Sequence, residues 1–126
     1  MIDIEKLSEH WRDGAEEDWA VSLELLSRDR VRHSLFFAHL ALEKLLKAHV
    51  TRETRDVAPR IHNLVRLAEV ANLKLDSGQL DALADMNEFN LEGRYPDPAI
   101  PSPTLEEARE YVKRAEEVMK WLIEQL

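Results

Sequence analysis

Apolar residues recur at steps of three and four along almost the whole chain, and no stretch alternates apolar with polar residues as a half-buried strand would. Over about residues 3–27, Ile4, Leu7, Trp11, Ala15, Trp19, Leu23 and Leu26 fall on one helical face. Gly14 sits inside that helix at a cost of about 1 kcal/mol relative to Ala. A second segment, about residues 30–53, is apolar over most of its circumference. Leu35, Leu42 and Leu46 mark one side and Phe37, Ala41 and Ala48 another. Such a helix, roughly 35 Å long, belongs in the middle of a bundle. Its polar exceptions His39, Glu43 and Lys47 are spaced by four and share one stripe.

A third helix is expected to start near Pro59, a favoured first-turn residue, and to carry Ile61, Leu64, Val65, Ala68, Ala71 and Leu75. A fourth opens where Asp76 caps and Gln79 reaches back, with Leu80, Leu83, Ala84 and Leu91 as its apolar positions. Four of the five prolines then lie between Tyr95 and Thr104, so Arg94 to Pro103 is expected to be extended. The last helix starts at the Thr104-Leu-Glu-Glu107 capping box, and Leu105, Ala108, Val112, Ala115, Met119, Leu122 and Leu126 form its stripe. The pattern predicts an all-α fold, a five-helix up-and-down bundle with a Pro-rich segment before the last helix. Its 126 residues fit a single domain, 1–126. No repeat of solenoid period is present.

The chain has no cysteine, which excludes a disulfide framework, a thiolate metal site and a cysteine nucleophile and fits a reducing compartment. Charges interrupt every apolar run, so no membrane span is expected, and the N-terminal residues run straight into a helical pattern rather than a targeting peptide. The expected location is the cytoplasm. A net charge of −8 argues against a protein that coats nucleic acid non-specifically. Yet Lys44 to Arg66 holds six of the 17 basic residues and two of the 25 acidic ones, a local balance of +4. That region could attract phosphate, or it could be a solvated charged turn.

Three pieces of sequence, in order, carry a resemblance. They are Phe36-Phe-Ala-His-Leu-Ala-Leu-Glu-Lys-Leu-Leu-Lys-Ala48, then His62-Asn63-Leu64 with Leu67, then Arg94-Tyr95-Pro96-Asp97. Together they resemble the prokaryotic HEPN family, the small helical module named for higher eukaryotes and prokaryotes nucleotide-binding proteins. The resemblance covers nearly the whole chain. It implies a helical bundle that is commonly a homodimer and binds RNA or nucleotide. It also implies one half of a two-component, toxin–antitoxin-like system whose other half is a minimal nucleotidyltransferase. Many such proteins are metal-independent ribonucleases with an Arg-x4–6-His motif; others lack the motif and bind or act through partners.

Arg28–His33, Arg32–His39 and Arg55–His62 all have that spacing, but none opens a late helix, where the ribonucleases carry it. Among them His62 is the candidate general base or acid, and Arg55 or Arg60 the candidate for charge on a phosphorane. His62 could equally organise the start of the third helix by hydrogen bonding. Glu43 and Lys47 form an i,i+4 pair that either anchors the Pro-rich segment or faces a groove with Arg94 and Asp97. Tyr95 would lie on the bundle with its hydroxyl near water. The expected nucleotide- or RNA-binding set is therefore Lys47, Arg60, Arg94, Glu43, Asp97 and Tyr95, with His62, Lys47 and Arg94 in one groove or sharing it across a dimer. His39 and Glu43 are spaced like two metal ligands, but no His-Glu-x-x-His or Glu-x-x-His pair accompanies them, so neither metal nor cofactor is expected. Two other readings stand beside a binding protein. One is an endoribonuclease acting through His62; the other is a non-catalytic dimeric adaptor built on the mostly apolar second helix and the Trp11/Trp19 face.

Overall fold

A computed structural model describes residues 2–94, 99 and 101–126, with the backbone alone for 91–94. It contains five helices, α1 (Ile4–Ser27), α2 (Val31–Thr54), α3 (Leu64–Val70), α4 (Ser77–Arg94) and α5 (Leu105–Glu124), and no strand among the described residues. The four long helices alternate in direction. Ser8 of α1 meets Ala48 and Ser22 meets Ser34, so α1 and α2 are antiparallel. Arg114 of α5 meets Asp85 of α4, and Tyr111 meets Phe89, which sets α4 against α5. Arg32 reaches Ser102 at one end and His49 reaches Leu122 at the other, so α2 and α5 run parallel. Helix α3 is a two-turn link between α2 and α4.

Helix α2 packs against each of the other four helices. Leu35, Leu42, Leu45, Leu46 and Val50 are fully buried there, and truncating any of the leucines to Ala would cost about 2–5 kcal/mol. Around it stand Ala15 of α1, Leu64 and Leu67 of α3, Leu83 and Met86 of α4, and Val112, Ala115 and Leu122 of α5. Serines line the α1–α2 contact. Ser22 Oγ donates to the Ser34 carbonyl at 2.7 Å and Ser34 Oγ donates back to the Ser22 carbonyl at 2.8 Å, satisfying both hydroxyls inside the core.

Helix ends follow local chemistry. Asp3 caps α1, and Thr104 and Glu107 close the expected capping box of α5. Asp76 Oδ1 accepts from Gln79 N at 2.7 Å while Gln79 Oε1 accepts from Asp76 N at 2.9 Å, again the expected reciprocal pair. With so few glycines, three non-glycine residues among those described take the left-handed backbone beyond helix ends: Asp29, Arg55 and Asn72, with φ of 59°, 57° and 56°. The third helix departs from expectation. Residues 59–63 are not helical, because Asn63 rather than Pro59 starts α3, its Oδ1 accepting from Arg66 N at 3.1 Å. Leu23, expected on the buried face of α1, is 40% exposed, since a face read at steps of four drifts around a helix of 3.6 residues per turn.

Candidate functional site

His39, Glu43 and Lys47 lie one helical turn apart on α2, and all three are buried, at 1%, 5% and 7% exposure. Charged groups at such depth persist when they are paired. Glu43 supplies the pairing at both oxygens. Its Oε2 receives Lys47 Nζ at 3.1 Å, and its Oε1 receives His62 Nδ1 at 3.0 Å. Lys47 Nζ also lies 5.4 Å from the centre of the Trp11 ring on α1, within cation–π range. The Trp11 indole nitrogen is buried with no hydrogen-bond partner among the described residues. His39 faces the loop that follows α2. Its Nε2 donates to the His62 carbonyl at 3.2 Å, while its Nδ1 stands 3.8 Å from Glu43 Oε1, beyond hydrogen-bond reach.

His62 is therefore held at ring and backbone, although its side chain is 49% exposed. The loop that carries it is pinned on the far side as well. Asn63 Oδ1 accepts from Asn87 Nδ2 of α4 at 3.2 Å, and Asn87 Oδ1 accepts from Leu64 N at 2.7 Å. Ala58 and Ile61 of the same loop pack on the core. An exposed imidazole is thus mounted on a buried carboxylate, with its loop fixed by three side chains. Loop side chains held this way cost little entropy to use, which is what a binding or proton-transfer group needs.

The other expected site residues are distributed differently. Arg55 sits at the C-terminal end of α2, roughly 18 Å along the helix from Glu43 at 1.5 Å per residue, and pairs with Glu5 at 3.5 Å. Arg60 is exposed in the His62 loop and has no ion pair among the described residues. The side chain of Arg94, with Tyr95 and Asp97, lies outside the described residues, and so does the groove expected to join Arg94 to His62 and Lys47. Four of the six cations in the basic Lys44–Arg66 region have acidic partners. Lys44 pairs with Asp18 at 2.8 Å, Lys47 with Glu43, Arg55 with Glu5 and Arg66 with Glu69 at 3.0 Å. Gly14 makes room for the first of these, since a Cβ there would stand 3.2 Å from Lys44 Cδ. No cluster of three or more metal-ligating side chains occurs among the described residues. No helix there is long and apolar enough to cross a membrane.

One further buried histidine was not singled out by the sequence. His49, 7% exposed, donates from Nε2 to the Leu122 carbonyl of α5 at 2.7 Å. Burial holds its pKa below the ordinary histidine value; the Leu122 carbonyl works in the opposite direction, and Arg52 adds to the lowering.

Comparison with known proteins places this geometry in context. The sequence profile of the HEPN domain matches residues 8–126. Among solved structures, the chain is similar to TT1696 from Thermus thermophilus, with 22% identity and a TM-score of 0.79 over 94% of this chain and 98% of that one. It is also similar to ST0689, an archaeal HEPN homologue, with 20% identity and a TM-score of 0.73 over 94% and 96% of the two chains. At such identities these likenesses concern the fold. No curated protein gives a significant match.

Proposed function

This chain belongs to the HEPN domain family, and from that premise we propose that it binds RNA or a nucleotide at His62. It does so as one half of a two-protein system with a minimal nucleotidyltransferase, in the cytoplasm and as a homodimer. The observation that carries the binding reading is the His62–Glu43 hydrogen bond of 3.0 Å, which mounts an exposed ring on a buried, fully paired carboxylate. A histidine needed only to start α3 would not require it, because Asn63 already caps that helix. The acidic surface fits a local contact with one strand or one nucleotide better than backbone-wide binding.

Fluorescence anisotropy with a short single-stranded RNA, and with ATP as the nucleotide probe, tests this reading. Binding should weaken at least about ten-fold in His62→Ala, the scale of one lost charged or well-oriented hydrogen bond. Equal binding by both proteins would remove His62 from the site. Co-purification with the product of an adjacent nucleotidyltransferase gene tests the partner, and a lone gene would count against it.

The same hydrogen bond supports a second reading, metal-independent RNA cleavage with His62 as the base. Arg55 is poorly placed to assist within one protomer, whereas Arg60 lies two residues from His62. Cleavage in EDTA that is lost in His62→Ala and Arg60→Ala but kept in Arg55→Ala would establish it. Purified protein that leaves RNA intact would leave binding as the role.

A further inference from the structure

We infer that Glu43 is a positioning residue that fixes the tautomer of His62, and that the His62 ring consequently reads a hydroxyl donor, the ribose 2′-hydroxyl. This inference rests on the RNA- or nucleotide-binding reading of the same site and says which part of the ligand His62 meets. Both Glu43 oxygens are occupied, Oε1 by His62 Nδ1 and Oε2 by Lys47 Nζ, and the side chain is 5% exposed. It has neither a free oxygen nor the access to touch a ligand itself. An ionised carboxylate beside an ammonium group can only accept hydrogen bonds. Nδ1 of His62 must therefore carry the proton, and in the neutral ring Nε2 is left as a bare acceptor.

Lys47 holds the carboxylate in place, and the His39 contact to the His62 carbonyl stops the loop from carrying the ring away. Arg60, in the same loop, is exposed with no ion pair among the described residues, whereas three other cations of this stretch are paired. Lys47 is buried on Glu43, Lys44 is on Asp18 and Arg66 is on Glu69. What His62 offers a ligand is thus an acceptor nitrogen on a pinned loop, and its complement is an O–H. The 2′-hydroxyl is the donor that distinguishes RNA from DNA.

The first measurement is made on the wild-type protein and needs no variant: ring ¹⁵N shifts of His62, read above its own titration. They should show a protonated Nδ1 and a bare Nε2. The opposite tautomer would overturn the positioning role whatever the protein binds. The second compares a short RNA with the DNA of the same sequence. RNA should bind about ten-fold more tightly, and the preference should collapse in His62→Ala and in Glu43→Gln, where an amide can donate to Nδ1 and move the ring proton. If Glu43→Gln does not fold, the wild-type spectrum and His62→Ala still decide. Equal affinity for RNA and DNA would overturn the hydroxyl reading while leaving nucleic-acid binding intact. Absence of any RNA or nucleotide binding would overturn the proposed function and its ligand together, with the tautomer judged separately by its shifts.

Discussion

Two histidines on α2, His39 and His49, solve the same problem and end differently. Each is buried, and each donates from Nε2 to a backbone carbonyl of another segment, His62 O for the first and Leu122 O for the second. At His49 the matter closes there: a neutral ring pins α5 to α2 at the end of the bundle. At His39 the carbonyl belongs to a loop whose own imidazole is half exposed and tied to a buried Glu43–Lys47 pair. The difference teaches that burial of a polar side chain does not mark a site. The mark is a buried polar group whose hydrogen bonds lead outward to an exposed one.

The largest effect that would test this contrast is on stability. Glu43→Ala should leave Lys47 buried without its carboxylate and cost about 3–5 kcal/mol in urea unfolding. A Glu43→Leu/Lys47→Met double variant should regain most of that stability while losing His62 orientation. A single-variant cost below about 1 kcal/mol would show the pair to be no more than a surface contact.

His49 gives the next effect, as a pH dependence. Its folded pKa is lowered, so between that value and the ordinary 6.5 the unfolded chain binds the extra proton. Stability is therefore full above about pH 6.5 and falls as pH drops through this window, by at most about 1.4 kcal/mol per pH unit for one proton. Melting curves across the window should show a shallower decline for His49→Gln than for wild type. Parallel curves would place the acid sensitivity elsewhere. Smallest of all should be the stability cost of His62→Ala, under about 1 kcal/mol for a half-exposed side chain. A melting point that drops as far as that of Glu43→Ala would recast His62 as part of the architecture.

Much of this was legible in the chain. The apolar stripes, the Asp76–Gln79 reciprocal cap and the Thr104–Glu107 box placed four of five helices, because each depends on residues within one or two turns. The start of α3 was not legible, since the capping Asn63 is held in place by Asn87, 24 residues away on α4. The burial of Ser8, Ser22 and Ser34 lies outside the apolar pattern, because their partners are carbonyls of the facing helix. At the site, the four-residue spacing of His39, Glu43 and Lys47 correctly put them on one stripe, and the HEPN-like motifs supplied His62. That Glu43 takes both Lys47 and His62 could not be read from spacing, which describes one helix and not the loop that returns to it. His49 carried no signal, sitting in an apolar run where only its contact to α5 gives it meaning.

The central claim, that function lies at the exposed end of the Glu43–His62 chain, is tested most directly by locating the ligand. A short RNA titrated into ¹⁵N-labelled protein should move the His62 and Asn63 amides, the His62 ring nitrogens and the Trp11 indole that adjoins Lys47. The His49 and Leu122 signals should stay in place. Shifts confined to the His49 end of the bundle, with His62 unmoved, would contradict the account.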